Sequence, residues 1–449
     1  RIPFLFEGYG SEEDSWGIVV ALRNTVATGI YEVSRLPAHP VQEFTYLTGV
    51  EAGPIFYNGI TAVMSVICVF FFALILRRLR VENYLFASAV LAFTPVFYIS
   101  STYTIDYVWA LAFILICFYF VVSKKYLLAG LFLGLAIGCR ITSGAMLLPL
   151  FVFIFHSENR NGFLKSTFLL SLSSICTGIV CYIPVYQVYG IDFFTYYDQF
   201  PYPPLPKVLY KFSLGVFGFI GLAALLAFLP RILKNIFKRK IISTPVYAKG
   251  LFRMSLAVIF LYTLSYFYIP EKSGFLIPLI PFVIIICCVY LSKLNFIFLS
   301  VFMILSSFFF SINLSDKLRG AEHSSLSMKF TVSGQKIFLD PLSGAIFSDY
   351  SKRKNKIAFT EKVIVDAAQL EPKSLIISGW WYNEILVELK DKNLNYASMF
   401  AFYINKGKMM ELKNNGYNIF YLPEQNIYNN RYSQTTFTDS IAKALYPEL

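Results

Sequence analysis

Long apolar runs fill the middle of this 449-residue chain, and they constrain its fold more than any other feature. They are Asn58–Leu76, Tyr84–Ile99, Tyr107–Val122, Tyr126–Cys139, Gly144–Phe155, Ser166–Tyr186, Phe212–Leu229, Met254–Ile269, Phe275–Leu291 and Asn295–Ile312. Several approach the ~20 residues that a helix needs to span a bilayer. In lipid the backbone must satisfy its own hydrogen bonds, which a helix does within one segment. The two short runs flanking Arg140 predict either a tight helical hairpin with a polar tip at Arg140–Gly144 or a re-entrant pair. Only 15% of residues are charged, against about 25% in soluble domains. With 46 Phe and 31 Tyr, the composition excludes an ordinary cytosolic enzyme, a disordered chain and a small disulfide scaffold.

The net charge of +12 has a membrane explanation. One set of alternate loops carries Arg77, Arg78 and Arg80, then Lys124 and Lys125, Arg160 and Lys165, the run from Arg231 to Arg253, and Lys293. The opposite short loops hold only Arg140, Lys207, Lys211 and Lys272. Lys and Arg gather on the cytoplasmic side, so the first set is predicted to be cytoplasmic. Residues 1–57, Ser100–Asp106, Gln187–Lys211, Pro270–Gly274 and everything after Asn313 are then expected outside. An outer segment that starts at Arg1 predicts a further transmembrane helix ahead of it, and about eleven spans in all. No basic stripe interleaved with stacking aromatics points to nucleic acid. The seven cysteines lie in apolar runs and read as small hydrophobes.

After residue 313 the chain turns polar. Ser374–Ser378 and Tyr417–Leu422 read as buried strands, and Thr360–Leu370 and Phe437–Leu445 as helices. This predicts a small α/β domain. Near the N-terminus, Glu12-Glu13-Asp14 precedes Gly17–Ala27, whose spacing suits a helix on the membrane surface. Ser11 is a plausible N-cap, and acids in a first turn often serve capping. Alternatively Glu13 or Asp14 is a general base at the mouth of a membrane cavity. The Thr28–Glu43 stretch, with Gly29, Pro37 and Pro40, is a shaped loop carrying Arg35 and His39. Arginine suits a lipid phosphate through paired, charged hydrogen bonds. Asp106 sits at the start of an apolar helix, either as a first-turn acid or as a second active-site carboxylate.

Taken in order, these features resemble the GT-C-fold integral-membrane glycosyltransferases, in the branch of protein O-mannosyltransferases and the lipid A aminoarabinose transferase. The residues concerned are Glu13-Asp14; Tyr31–Pro40 (YEVSRLPAHP), similar to that family's G-Y-x-x-S-R-x-P-G-x-P; Ile105-Asp106-Tyr107; Leu128–Ala136 leading into Arg140; and Lys272–Pro281. Two departures stand out: the acidic motif is Glu-Glu-Asp, and His39 replaces a small residue between the prolines.

The resemblance implies a mainly α, polytopic membrane protein. A GT-C-like helical bundle with a large first external loop (1–312) would carry a small α/β C-terminal extracytoplasmic domain (313–449). It implies inverting transfer of a sugar from a polyprenyl-phosphate donor to an acceptor glycan, lipid or protein at the outer face. Asp14 or Glu13 would be the base, with Asp106 orienting the base or the acceptor. Arg35, Arg140 and Lys272 would bind the donor phosphate. His39, Tyr31 and Tyr197 would contact the acceptor or shape the loop. No cofactor is required, although Glu13, Asp14 and Asp106 offer the oxygen ligands that a divalent cation takes. The competing readings are a transporter or flippase of lipid-linked saccharides, which predicts duplicated halves and charges at the midplane, and a non-catalytic polytopic assembly protein.

Overall fold

A computed structural model describes residues 1–193, 202–242, 245–314, 323–332, 335–422 and 441–446. A 3-10 turn at Ile2–Leu5 comes first, followed by α1 (Glu13–Thr28) and the shorter α2 (Pro40–Leu47). The bundle follows with α3 (Gly53–Arg78), α4 (Tyr84–Phe93), α5 (Pro95–Ser100), α6 (Tyr107–Val122) and α7 (Tyr126–Cys139). It continues through a 3-10 turn, Ile141–Met146, into α8 (Leu147–Ser157), α9 (Arg160–Tyr189), α10 (Leu205–Phe212), α11 (Leu214–Phe237) and α12 (Ala248–Tyr268). A further 3-10 turn, Ser273–Leu279, leads into α13 (Ile280–Tyr290), and α14 (Lys293–Leu305) closes the set.

Each of the ten apolar runs is helical over most of its length, though Asn295–Ile312 leaves the helix after Leu305 and ends in the strand Ser311–Leu314, and only five helical stretches among the described residues are long and apolar enough to cross a membrane. These are Gly53–Arg78, Arg160–Phe193, Leu214–Phe237, Ala248–Tyr268 and Ser273–Tyr290. The other five are shorter, and two causes are visible. Pro95 lacks an N–H and forces Thr94 out of helical geometry (ψ 128°), which splits α4 from α5. Twelve of the 16 residues of α6 are buried, so its apolar character serves the protein core rather than a full lipid-facing length. The lipid-facing character is clearest on α9, where Leu164, Phe168, Leu172, Ile175, Ile179 and Ile183 leave one exposed apolar stripe.

Small residues bring α7 against α9. A Cβ on Gly130, Gly134 or Gly138 would run into Leu170 and Ser173, Thr177, or Cys181 respectively. This four-residue spacing of glycines is the close-packing pattern of membrane helices. It fixes the end of α7, where Arg140 emerges. Gly134→Val is therefore expected to destabilise the protein by about 1–3 kcal/mol through overpacking. A lowered thermal transition in detergent would show this, and an unchanged one would mean that the two helices can separate freely.

The polar C-terminal segment forms two sheets. β1 (Ser311–Leu314), β2 (Met328–Val332) and β3 (Gln335–Asp340) make an antiparallel sheet with β3 central. After α15 (Ala345–Ala367) come β4 (Ser374–Ile377), α16 (Tyr382–Asp391), β5 (Phe400–Ala401), α17 (Lys406–Asn414), β6 (Asn418–Tyr421) and β7 (Lys443–Ala444). The strands β4 to β7 form a parallel sheet in the order β5-β4-β6-β7, with Leu375 opposite Ile419. The two strands expected from sequence are β4 and β6, and Thr360–Leu370 overlaps the C-terminal half of the longer α15. The helix expected at Phe437–Leu445 is corrected. Residues 437–440 lie outside the described residues, and Lys443–Ala444 pairs as an edge strand with Phe420 and Tyr421. Sheet pairing overrides the local helical period there.

Charged contacts fasten this segment to the bundle end that bears the first loop. Arg353 of α15 donates to the backbone carbonyls of Phe4 (2.9 Å) and Thr102 (3.0 Å). Arg23 of α1 pairs with Asp391 of α16 at 2.6 Å. Lys356 and Glu384 form a fully buried pair at 2.8 Å. Arg23–Asp391 seats α16 on α1, and Lys356–Glu384 ties α16 to α15.

Candidate active site

The loop between α1 and α2 is built around one buried carboxylate. Glu43, in the first turn of α2, accepts hydrogen bonds from the Ser34 N–H (2.9 Å), the Ser34 hydroxyl (2.6 Å), the His39 N–H (3.3 Å) and the Tyr31 hydroxyl. Sequence reasoning missed this residue. Its signal was an acid with no lysine or arginine partner at helical spacing, next to a proline-rich loop. Pro40 starts α2, so His39 stands at its N-terminal boundary. Arg35 and His39 are thereby fixed in place.

From that loop a row of alternating charges crosses the bundle end. Arg140 pairs with Asp106 at 2.8 Å, and Arg35 pairs with the other Asp106 oxygen. Arg35 also contacts Asp14 at 3.2 Å. Lys272 pairs with Asp14 and, at 2.6 Å, with Glu12. The Arg140 guanidinium lies 4.9 Å from the Tyr107 ring centre and 4.3 Å from that of Phe275, two cation–π contacts that hold it at the end of α7. Gly274 lets the Lys272 loop press on Tyr107, since a Cβ there would overlap the ring.

These contacts set the protonation states. Burial alone would raise the Asp14 carboxyl, but the charges of Lys272 and Arg35 outweigh it and hold it well below the usual carboxylate range. Asp106 is likewise pushed up by burial and held down by His39, Arg35 and Arg140. Burial lowers the basicity of Arg35 and Lys272, but their carboxylate partners raise both well above normal. Burial also lowers His39, leaving it neutral at pH 7. Its Nδ1 is bonded to the Cys139 carbonyl at 2.7 Å, and its Nε2 is buried without a hydrogen-bond partner.

The row opens onto a cavity of about 410 Å³, within the size range of small-molecule sites. Asp14, Glu13, Arg35, Arg140, Lys272 and His39 all line it. Four further lining residues come from the C-terminal segment: Trp380, Tyr382, Asn383 and Phe402. Asn383 donates to Glu13 at 3.0 Å. Sequence reasoning missed all four, because nothing local ties residues 380–402 to residue 14.

Several expectations need correction. Ser11 does not cap α1; the N-cap position is Glu12, and the Ser11 hydroxyl bonds Tyr103 and Asp349 instead. Asp106 does not line the cavity. It is fully buried with both oxygens held by guanidiniums, and it is linked to Asp14 only through Arg35. Of the two roles open to Tyr31, its contact fits the loop one: its hydroxyl is turned to Glu43, and it does not line the cavity. Tyr197 lies outside the described residues. Among the described residues no three His, Cys, Asp or Glu side chains gather in a metal-binding arrangement; Asp14 and Asp106 face cations instead.

Fold and site together define a polytopic helical membrane protein with an ion-paired cavity at one bundle end, roofed in part by an α/β segment. Residues 40–187, about a third of the chain, match the family described as dolichyl-phosphate-mannose-protein mannosyltransferase. This falls on the GT-C glycosyltransferase family that the loop motifs resemble. The matched stretch includes Asp106 and Arg140, while Asp14, Arg35 and Lys272 lie outside it. Among solved structures, ArnT from Cupriavidus metallidurans in the apo state is similar at 14% identity and a TM-score of 0.44. That similarity covers 63% of this chain and 56% of the other. No curated protein matches.

Proposed function

We propose that this protein is an inverting glycosyltransferase that moves a sugar from a polyprenyl-phosphate-linked donor to an acceptor at the outer face of the membrane. The observation that carries this reading is the convergence of Asp14, Arg35, Arg140 and Lys272 on one cavity at a bundle end. Arg35, Arg140 and Lys272 hold the donor phosphate, and apolar helix surfaces hold its tail. Asp14 takes the proton from the acceptor O–H or N–H. The freed electron pair attacks the anomeric carbon, the bond from that carbon to the phosphate oxygen breaks, and its electron pair leaves with the polyprenyl phosphate. Cations already aimed at the leaving oxygen stabilise the charge that builds there. Glu13 is the alternative base, held against Asn383 on the same rim.

The pairing of base and cations has a chemical consequence. In the free protein Asp14 is a weak base, because Lys272 and Arg35 favour its ionised form. A phosphate seated on those same cations shares their charge, so Asp14 becomes more basic as the donor binds. The pH dependence follows. The profile of kcat/KM reports the free enzyme, in which the Asp14 carboxyl is depressed and its base form persists as the pH falls. Hence kcat/KM should stay level from about pH 7 to about pH 5, since an ordinary Asp titrates only near 3.9. A decline centred near pH 6 would transfer the base role to another group, His39 first.

The outer-face assignment rests on the loop charges. The cavity lies at the lysine- and arginine-poor ends of the helices, which the positive-inside rule puts outside the cytoplasm. Alkaline phosphatase fused to the C-terminus of the full chain, which is active only outside the cytoplasm, should be active in cells. An inactive phosphatase together with a fluorescent cytoplasmic reporter at the same position would invert the topology.

A further inference from the structure

The cavity has two unlike sides. One is the charged row from the first loop, Arg140 and the Lys272 loop. The other comes from the C-terminal segment, where Trp380, Tyr382 and Phe402 present aromatic surface and Asn383 an amide. The Tyr382 and Phe402 rings pack edge to face, with centres 6.2 Å apart, so this side is built rather than incidental. It is also anchored: α16, which carries Tyr382 and Asn383, is tied to α1 through Arg23–Asp391 and Asn383–Glu13.

We propose that this aromatic-amide wall is a carbohydrate subsite that binds a sugar ring opposite the phosphate cations. The inference rests on the glycosyltransferase reading and adds a role for the C-terminal segment. A sugar ring has one largely C–H face and an edge of hydroxyls. The C–H face loses little by leaving water against an aromatic ring, and the hydroxyls need a donor-acceptor group such as an amide. A lipid tail would use the rings but leave Asn383 and the nearby charges desolvated and poorly matched. A bare phosphate would use the cations but not the rings. A sugar ring, whether the donor's or the acceptor's, fits both halves of the cavity at once.

The test uses the full chain in lipid nanodiscs with the variants Trp380→Leu and Phe402→Leu, which keep apolar bulk but lose the ring. The probes are bare polyprenyl phosphate, a panel of polyprenyl-phosphate hexoses, pentoses and aminopentoses, and soluble methyl glycosides followed by saturation-transfer NMR. If the ring is the donor's, each variant weakens the preferred sugar-bearing donor about tenfold, equivalent to about 1.4 kcal/mol, and leaves bare polyprenyl phosphate unchanged. If it is the acceptor's, donor affinity holds and the glycoside signal of the wild type is lost. Unchanged binding of every probe, or equal loss of bare and sugar-bearing lipid, overturns the subsite and makes the wall simple packing. A wild-type protein that binds no polyprenyl phosphate at all overturns the glycosyltransferase reading itself, an outcome distinct from failure of the wall variants.

Discussion

Asp14→Asn should lower turnover by about 10²–10⁴-fold, the range that general-base catalysis supplies. The amide keeps the shape of the side chain but cannot take the acceptor's proton. Binding of bare polyprenyl phosphate should hold or tighten, because Lys272 and Arg35 lose the anion that competes with the phosphate for them. That split between turnover and binding separates a base from a residue that merely supports the site. Glu12→Gln should have little effect, since Glu12 touches Lys272 but does not line the cavity. Full turnover in both Asp14→Asn and Glu13→Gln would reduce the acidic cluster to a set of structural ion pairs.

Asp106→Ala should be the most damaging change to stability. Asp106 is completely buried between Arg35 and Arg140, so its removal takes a buried anion from both guanidiniums and leaves their positive charge undercompensated. Breaking a buried pair from one side costs about 3–5 kcal/mol. Asp106→Asn should cost less, because the amide oxygen still accepts one of the two bonds. A clear fall in the thermal transition of the purified protein, ordered Ala below Asn below wild type, checks this; equal transitions would contradict it. The Asp14 and Asp106 carboxyls are both depressed in the folded state. Their ion-pair stabilisation is therefore complete above about pH 4, the ordinary carboxylate range, and is lost only as the pH falls through the lower folded values.

Much of this architecture was legible in the sequence, for physical reasons that can be traced residue by residue. Lipid demands long apolar helices, so the runs from Asn58 to Ile312 marked the bundle. The scarcity of charge on one set of loops made Arg140 and Lys272 conspicuous, and the proline-bounded loop did the same for Arg35. What stayed hidden depended on convergence. Asp106 resembled any first-turn acid until α7 and the first loop brought two arginines to it. Glu43 became a structural centre only once its helix folded back under Ser34 and His39. Trp380 and Asn383 lie more than 360 residues from Asp14 in the chain, and no periodicity announces such a contact. The shortness of α4 was encoded at Pro95, whereas the burial of α6 emerged only from packing.

The most direct test of the central claim is turnover by the full chain in lipid, supplied with a panel of polyprenyl-phosphate sugars and an extract of membrane glycolipids and proteins as acceptors. Release of free polyprenyl phosphate is the readout. Release from at least one donor, dependent on the acceptor extract, at least about a hundredfold slower in Asp14→Asn and strongly reduced in Arg35→Ala, is the predicted result. No release from any donor, or release equal in wild type, Asp14→Asn and Glu13→Gln, would contradict it.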